Sequence, residues 1–92
     1  MIRSFRCADT KALADGVRVR RFIAFEKVAR RKLLQLSIAT TLEDLRIPPG
    51  NRLELLSGDR RGQHSIRIND QYRLCFTWSS AGPEAVEIVD YH

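Results

Sequence analysis

Four arginines and three consecutive titratable residues are the groups in this 92-residue sequence best suited to chemistry on a phosphate. Arg60, Arg61, Arg67 and Arg73 lie between positions 60 and 73, and Asp90, Tyr91 and His92 occupy the last three positions. Guanidinium forks match phosphate oxygens, and an imidazole exchanges protons near neutral pH. RNA carries its own nucleophile, the 2′-hydroxyl. Cleaving it needs a base near that hydroxyl, an acid for the leaving 5′-oxygen and cations around the phosphorane. Asp90, Tyr91 and His92 can divide the proton transfers, and the arginines can supply the charge, without a metal or a cofactor.

Each of these residues also has a purely structural reading. Arg67 and Arg73 can be solvated strand residues paired to Asp70 or Glu87, the commoner fate of surface charge. A terminal His92 can simply be exposed. Asp90 and His92 alternate as metal ligands do, yet there is one further histidine and no cysteine pair at ligand spacing. His64 shares its alternation with Ile66 and reads as a core-edge histidine. Strict alternation also puts Asp90 and His92 on one face of a strand and Tyr91 on the other, so a shared site needs the strand end to twist or bend.

The elements that must position these groups are strands. In "QHSIRI", His64, Ile66 and Ile68 alternate with Ser65 and Arg67; in "QYRLCFTW", Tyr72, Leu74, Phe76 and Trp78 alternate with Arg73, Cys75 and Thr77. A loop of three residues between them, "NDQ", sets Ile66 opposite Leu74 and Arg67 opposite Arg73. A two-residue loop would mix the apolar face, and a slip of one residue reverses every side chain. Arg67 and Arg73 are therefore expected opposite each other, away from the core, where they repel unless an anion lies between them. "AVEIVDYH" is the last strand, a platform for Asp90, Tyr91 and His92.

Helices precede the strands. Phe22, Phe25, Ala29, Leu33 and Leu36 recur at spacings of three and four, which predicts a helix from about Arg20 to Ile38 packed on a sheet. Lys27, Arg30 and Arg31 fall off that stripe. Asp9 and Gly16 bracket a shorter helix, and Thr41 with Asp44 forms a capping-box pattern. Residues 2–5 are expected as a first strand, "RLELL" is ambiguous, and "SGDRRG" is a loop. The plan is β-α-α-β-β-β, an α+β domain.

Length and composition agree with one small domain over residues 1–92. Formal net charge is +5 and the pI about 9.9. Residues 1–37 carry +7 and residues 38–92 carry −2, so an anionic partner is expected. Cys7 and Cys75 are open to a disulfide or to two buried thiols, and the thiols are favoured in a reduced cytosol. "MIRSFRCADT" lacks the apolar segment of a secretory leader, and no run reaches membrane-spanning length, so a soluble, cytoplasmic protein is expected, with no membrane partner.

The stretch "GDRRGQHSIRINDQYRLCFTW" with the closing "VEIVDYH", together with "MIRSF" and "PPGNRLE", resembles the HigB toxins of bacterial toxin–antitoxin systems, in the RelE/ParE superfamily. The resemblance spans essentially the whole chain. It implies a compact RelE-like domain with a curved antiparallel sheet against N-terminal helices. It implies a ribosome-dependent mRNA interferase that cuts the codon in the A site. It also implies a HigA-type helix-turn-helix antitoxin, through which alone operator DNA is contacted. Arg73 matches the family arginine at the scissile phosphate, Asp90, Tyr91 and His92 the catalytic ending, and Arg60 and Arg67 its basic positions. With Arg61 they make the expected RNA-binding set. Lys27, Arg30 and Arg31 are the expected contacts to ribosomal RNA. A histidine and a lysine that assist catalysis in some members correspond here to Glu54 and Ser57, which leaves Asp90 and His92 as proton-transfer groups. The competing readings are a gyrase poison of the ParE kind, with no use for a terminal histidine, and a catalytically weak toxin that serves mainly to regulate with its antitoxin.

Overall fold

A computed structural model describes residues 1–48 and 50–91. Pro49 and His92 lie outside the described residues, and the expectations for His92 with them. The described chain runs through two α-helices into a four-stranded antiparallel sheet of order β1-β2-β3-β4, the α+β class expected. Helix α1 is Ala8–Ala14 and α2 is Glu26–Ile38; the strands are β1 Glu54–Leu55, β2 His64–Arg67, β3 Tyr72–Ser79 and β4 Gly82–Asp90.

The anticipated long helix divides. Arg20–Phe25 is a 3-10 turn and only Glu26–Ile38 is α-helical. In 3-10 geometry residues three apart eclipse, so Phe22 and Phe25 point the same way. Phe22 is buried against Phe25, and Phe25 stacks on Tyr72 of β3 with centroids 4.4 Å apart. Ala29, Leu33 and Leu36 continue the stripe and are buried.

The short helix starts earlier than expected. Its N-cap is Cys7, with Asp9 in the first turn and no side-chain cap bond. Its end follows expectation: Gly16 has φ +92°, and Gly16 and Val17 N–H donate to the Leu13 and Ala12 carbonyls, a Schellman arrangement. The capping box also forms, with Asp44 N–H donating to Thr41 Oγ1 at 3.3 Å and Thr41 N–H to the Asp44 carboxylate at 3.1 Å, opening a 3-10 turn over Leu42–Leu45.

Two strands depart from expectation. Residues 2–5 make a single parallel bridge, Phe5 to Val86, rather than a strand. They run beside a bulge in β4, where Ala85 takes φ +52° and gives its N–H to Ser4 Oγ. The ambiguous "RLELL" instead supplies the edge strand β1, paired Glu54 to Ser65 and Leu55 to His64. No helix among the described residues is long and apolar enough to cross a membrane.

The β2–β3 register is the expected one: Ile66 opposite Leu74 and Arg67 opposite Arg73. Leu74 in turn faces Ile88. This Ile66–Leu74–Ile88 row is buried under α2 with Phe76 and Val86, and it is the centre of the core. His64 lies at the core edge as expected, half-buried and stacked on Phe76 at 6.3 Å. Burial first, then the charge of Arg46, lowers its imidazole pKa below the ordinary value.

Candidate functional site

The other face of the sheet is polar. Two rows cross it: Glu54–Ser65–Cys75–Glu87 over all four strands, and beside it Arg67–Arg73–Val89. Ser65 and Cys75 are buried although they point away from the core. Burial raises the Cys75 thiol pKa, so it stays protonated among the charges around it.

Arg73 is the most constrained cation of this face. Its side chain is only 11% exposed. Nε donates to Ser65 Oγ at 2.7 Å and one terminal nitrogen donates to the Arg52 carbonyl at 2.6 Å. The Glu54 carboxylate stands 3.7 Å from the other terminal nitrogen. The guanidinium carbon also lies 5.9 Å from the centre of the Tyr91 ring. Planar donors held by fixed acceptors cannot swing, so the cation is presented in one orientation.

Arg67 is opposite Arg73 in the ladder, but among the described residues the two guanidiniums share no partner. Arg67 turns to the hairpin and pairs with Asp70, whose side chain is 99% exposed. Such a pair is weak and opens readily. Arg67 thus makes the structural pairing with Asp70 that its sequence allowed; for Arg73 the acid is Glu54, not Asp70 or Glu87. Glu87 instead accepts from Arg60 at 2.9 Å, with Arg6 3.9 Å away. That bond, above all, raises the Arg60 pKa beyond its ordinary value. Arg60 also donates to Gln63 Oε1 at 3.2 Å. Arg61 is exposed on the adjoining turn.

The end of β4 divides the chemistry as alternation requires. Tyr91 N–H donates to the Gln71 carbonyl at 2.6 Å, which extends the ladder one residue past β4 and fixes the phenol on the Arg73 side. Asp90 is opposite Tyr72, on the other side, and accepts from Gln71 Nε2 at 3.1 Å. The structure thus brings Arg73, Tyr91, Arg60 and Glu54 to one face and leaves Asp90 on the opposite side of the strand. Ser57, the other departure from the histidine–lysine pattern, is exposed at the start of the turn holding Arg60.

The basic helix is less uniform than its sequence. Lys27 and Arg31 are exposed on α2. Arg30, expected beside them, is half-buried: it pairs with Glu26 at 3.0 Å and donates to the Val17 carbonyl at 3.2 Å, tying α2 to the end of α1. Its place is structural, because the turn after α1 comes close enough to take its charge. Cys7, expected to be buried, is half-buried and accepts from Arg21 at 3.4 Å; neither cysteine forms a disulfide.

Glu54, Ser65 and the Arg52 carbonyl were not among the sequence-derived site residues. Ser65 was recoverable, because the register that pairs Arg67 with Arg73 puts Ser65 on the same face, one pair along. Glu54 and the carbonyl depend on where β1 docks, which an ambiguous two-residue strand does not announce.

A small antiparallel sheet backed by helices is consistent with a RelE-like fold. Residues 14–92 match the family model described as the RelE-like toxin of the type II toxin–antitoxin system HigB. The chain belongs to that HigB-like toxin family. It is similar to Toxin HigB-1 of Vibrio cholerae, with 53% identity over 55 residues, 60% of this chain and 58% of that protein. It is also similar to an uncharacterized protein of Haemophilus influenzae, with 44% identity over 54 residues, 59% of this chain and 54% of that protein. The matched segments thus span somewhat over half the length of these curated relatives. A type II toxin implies an antitoxin partner.

Proposed function

We propose that this toxin is a ribosome-dependent endoribonuclease that cuts messenger RNA in the A site and thereby stops translation in the cytoplasm. The observation that carries the proposal is Arg73, held on the polar face of the sheet by Ser65 Oγ and the Arg52 carbonyl with the Tyr91 ring beside it. In this scheme the 2′-oxygen of the message attacks the adjacent phosphorus and the bond to the 5′-oxygen breaks. Arg73 stabilises the charge that builds on the phosphoryl oxygens, and Arg60, Arg61 and Arg67 hold neighbouring phosphates. Tyr91 stacks on a nucleotide. Asp90 and His92 take the proton from the 2′-hydroxyl and give one to the leaving oxygen, a role that requires the strand end to turn Asp90 toward the Arg73 face. Lys27 and Arg31 contact ribosomal RNA. The partner that neutralises the toxin is a HigA-type helix-turn-helix antitoxin, which also carries the contact to operator DNA.

Primer extension on cellular messages after induction tests this reading. Cleavage within codons of translated messages is expected. Intact messages accompanied by DNA damage would replace it with the gyrase-poison reading.

A further inference from the structure

Arg73 owes part of its orientation to a backbone carbonyl, and that carbonyl belongs to a residue in an unfavourable conformation. Arg52 takes φ +47°, left-handed backbone that an L-residue with a long side chain adopts at a cost. Its carbonyl accepts the 2.6 Å bond from Arg73. What holds Arg52 there is its neighbour Asn51, whose side chain and backbone are fully buried between α2, the turn after it and β2. Asn51 Nδ2 donates to Gln35 Oε1 and to the Leu45 carbonyl, both at 3.1 Å. Asn51 Oδ1 accepts from Lys32, and the Asn51 carbonyl accepts the Arg67 N–H at 2.6 Å. These bonds fix one residue from several sides, and the next residue is forced left-handed with its carbonyl turned toward Arg73.

We infer that Asn51 and the left-handed backbone of Arg52 are positioning residues for the Arg73 guanidinium. The Arg52 side chain is exposed and serves no such purpose; its carbonyl does. The inference rests on the reading of Arg73 as the group that stabilises the scissile phosphate, and it adds what aims that group. A buried asparagine with all of its side-chain polar atoms bonded cannot shift without leaving Lys32 and the Leu45 carbonyl unpaired. The loop therefore behaves as a rigid stop behind the arginine.

Substitutions at the exposed Arg52 test this without touching the core. Glycine reaches positive φ as readily as negative φ, whereas a β-branched residue strongly resists it. Arg52→Gly and Arg52→Val both remove the side chain and differ chiefly in where they allow the carbonyl to point. The measurement is single-turnover cleavage of ribosome-bound message at saturating protein, with Arg73→Ala as reference and thermal melts to verify folding. Arg52→Gly is expected to cleave within about twofold of the native rate. Arg52→Val is expected to fall by about ten- to a hundredfold in maximal rate with ribosome affinity unchanged, the penalty of a misplaced catalytic group. Asn51→Ala is expected to fall similarly, and adding Arg52→Gly to it to restore about fivefold, because glycine adopts the left-handed backbone without the strain that Asn51 otherwise has to hold. If Arg73→Ala is slow but Arg52→Gly and Arg52→Val cleave equally, the positioning role is wrong. If Arg52→Gly is as slow as Arg52→Val, the side chain is what matters and the inference also falls. If Arg73→Ala itself cleaves at the native rate, the reading of Arg73 fails first and takes its positioning with it.

Discussion

Leu74 and Arg73 are adjacent in β3, and they belong to regions with opposite physics. Leu74 closes the Ile66–Leu74–Ile88 row under α2 and is fully buried. Arg73 stands on the reverse face with its charge tethered to a hydroxyl, a carbonyl and a more distant carboxylate. One face gains stability from apolar area removed from water. The other holds cations in place with directional partners. A strand of period two lets both be specified by the same short stretch of sequence, so stability and chemistry should separate cleanly between neighbours.

The largest expected separation is at Arg73. Arg73→Ala should lower the cleavage rate by about two to three powers of ten, the usual loss for one electrostatic stabiliser of a transition state. Its melting curve should fall only modestly, since the apolar core is untouched and the loss is confined to the bonds to Ser65 Oγ and the Arg52 carbonyl. A melt that collapsed would make Arg73 structural and erase the contrast. Leu74→Ala should show the reverse: roughly 2–5 kcal/mol of stability lost through the cavity it leaves, read from chemical denaturation. Whatever fraction remains folded should cleave at the native rate. A folded Leu74→Ala with a slow chemical step would show that the two faces are coupled.

A smaller effect is expected on α2. Lys27 and Arg31 are exposed, whereas Arg30 is occupied by Glu26 and Val17. Replacing Lys27 and Arg31 together by alanine should weaken ribosome binding and flatten its salt dependence by roughly one unit of logarithmic slope for each phosphate no longer neutralised. The cleavage rate at saturation should not change. An unchanged salt slope would remove these residues from the ribosome-binding surface. The smallest effect concerns pH. The folded state lowers the His64 pKa, so the unfolded chain binds its proton more readily. Stability should therefore be complete above the ordinary histidine pKa of about 6.5 and decline as pH falls through it. His64→Gln should flatten that part of a melting-temperature profile; an unaltered profile would assign the slope to other groups.

Much of this was legible in the sequence because it depends on local rules. The stripe from Phe22 to Leu36, the Thr41–Asp44 box and the three-residue hairpin each follow from spacing, and the hairpin alone set Arg67 opposite Arg73. What escaped depends on tertiary docking. Strand β1 is two exposed residues long and has no alternation to read, yet it delivers Glu54 to Arg73. The bulge at Ala85 reduces residues 2–5 to one bridge, and no pattern in those residues signals it. Arg30 shares the composition of its neighbours and differs only because the turn after α1 folds back onto it. The Arg52 carbonyl has no signature at all, since any residue carries one.

The claim at the centre is that the RNA's own 2′-hydroxyl attacks while this face supplies the charge. A message carrying a single 2′-deoxynucleotide on the 5′ side of the scissile phosphate, positioned in the A site of purified ribosomes, tests it most directly. The expected result is that the native protein leaves that message intact while cutting the all-ribose message at the same codon. Cleavage of both at equal rates would contradict the mechanism.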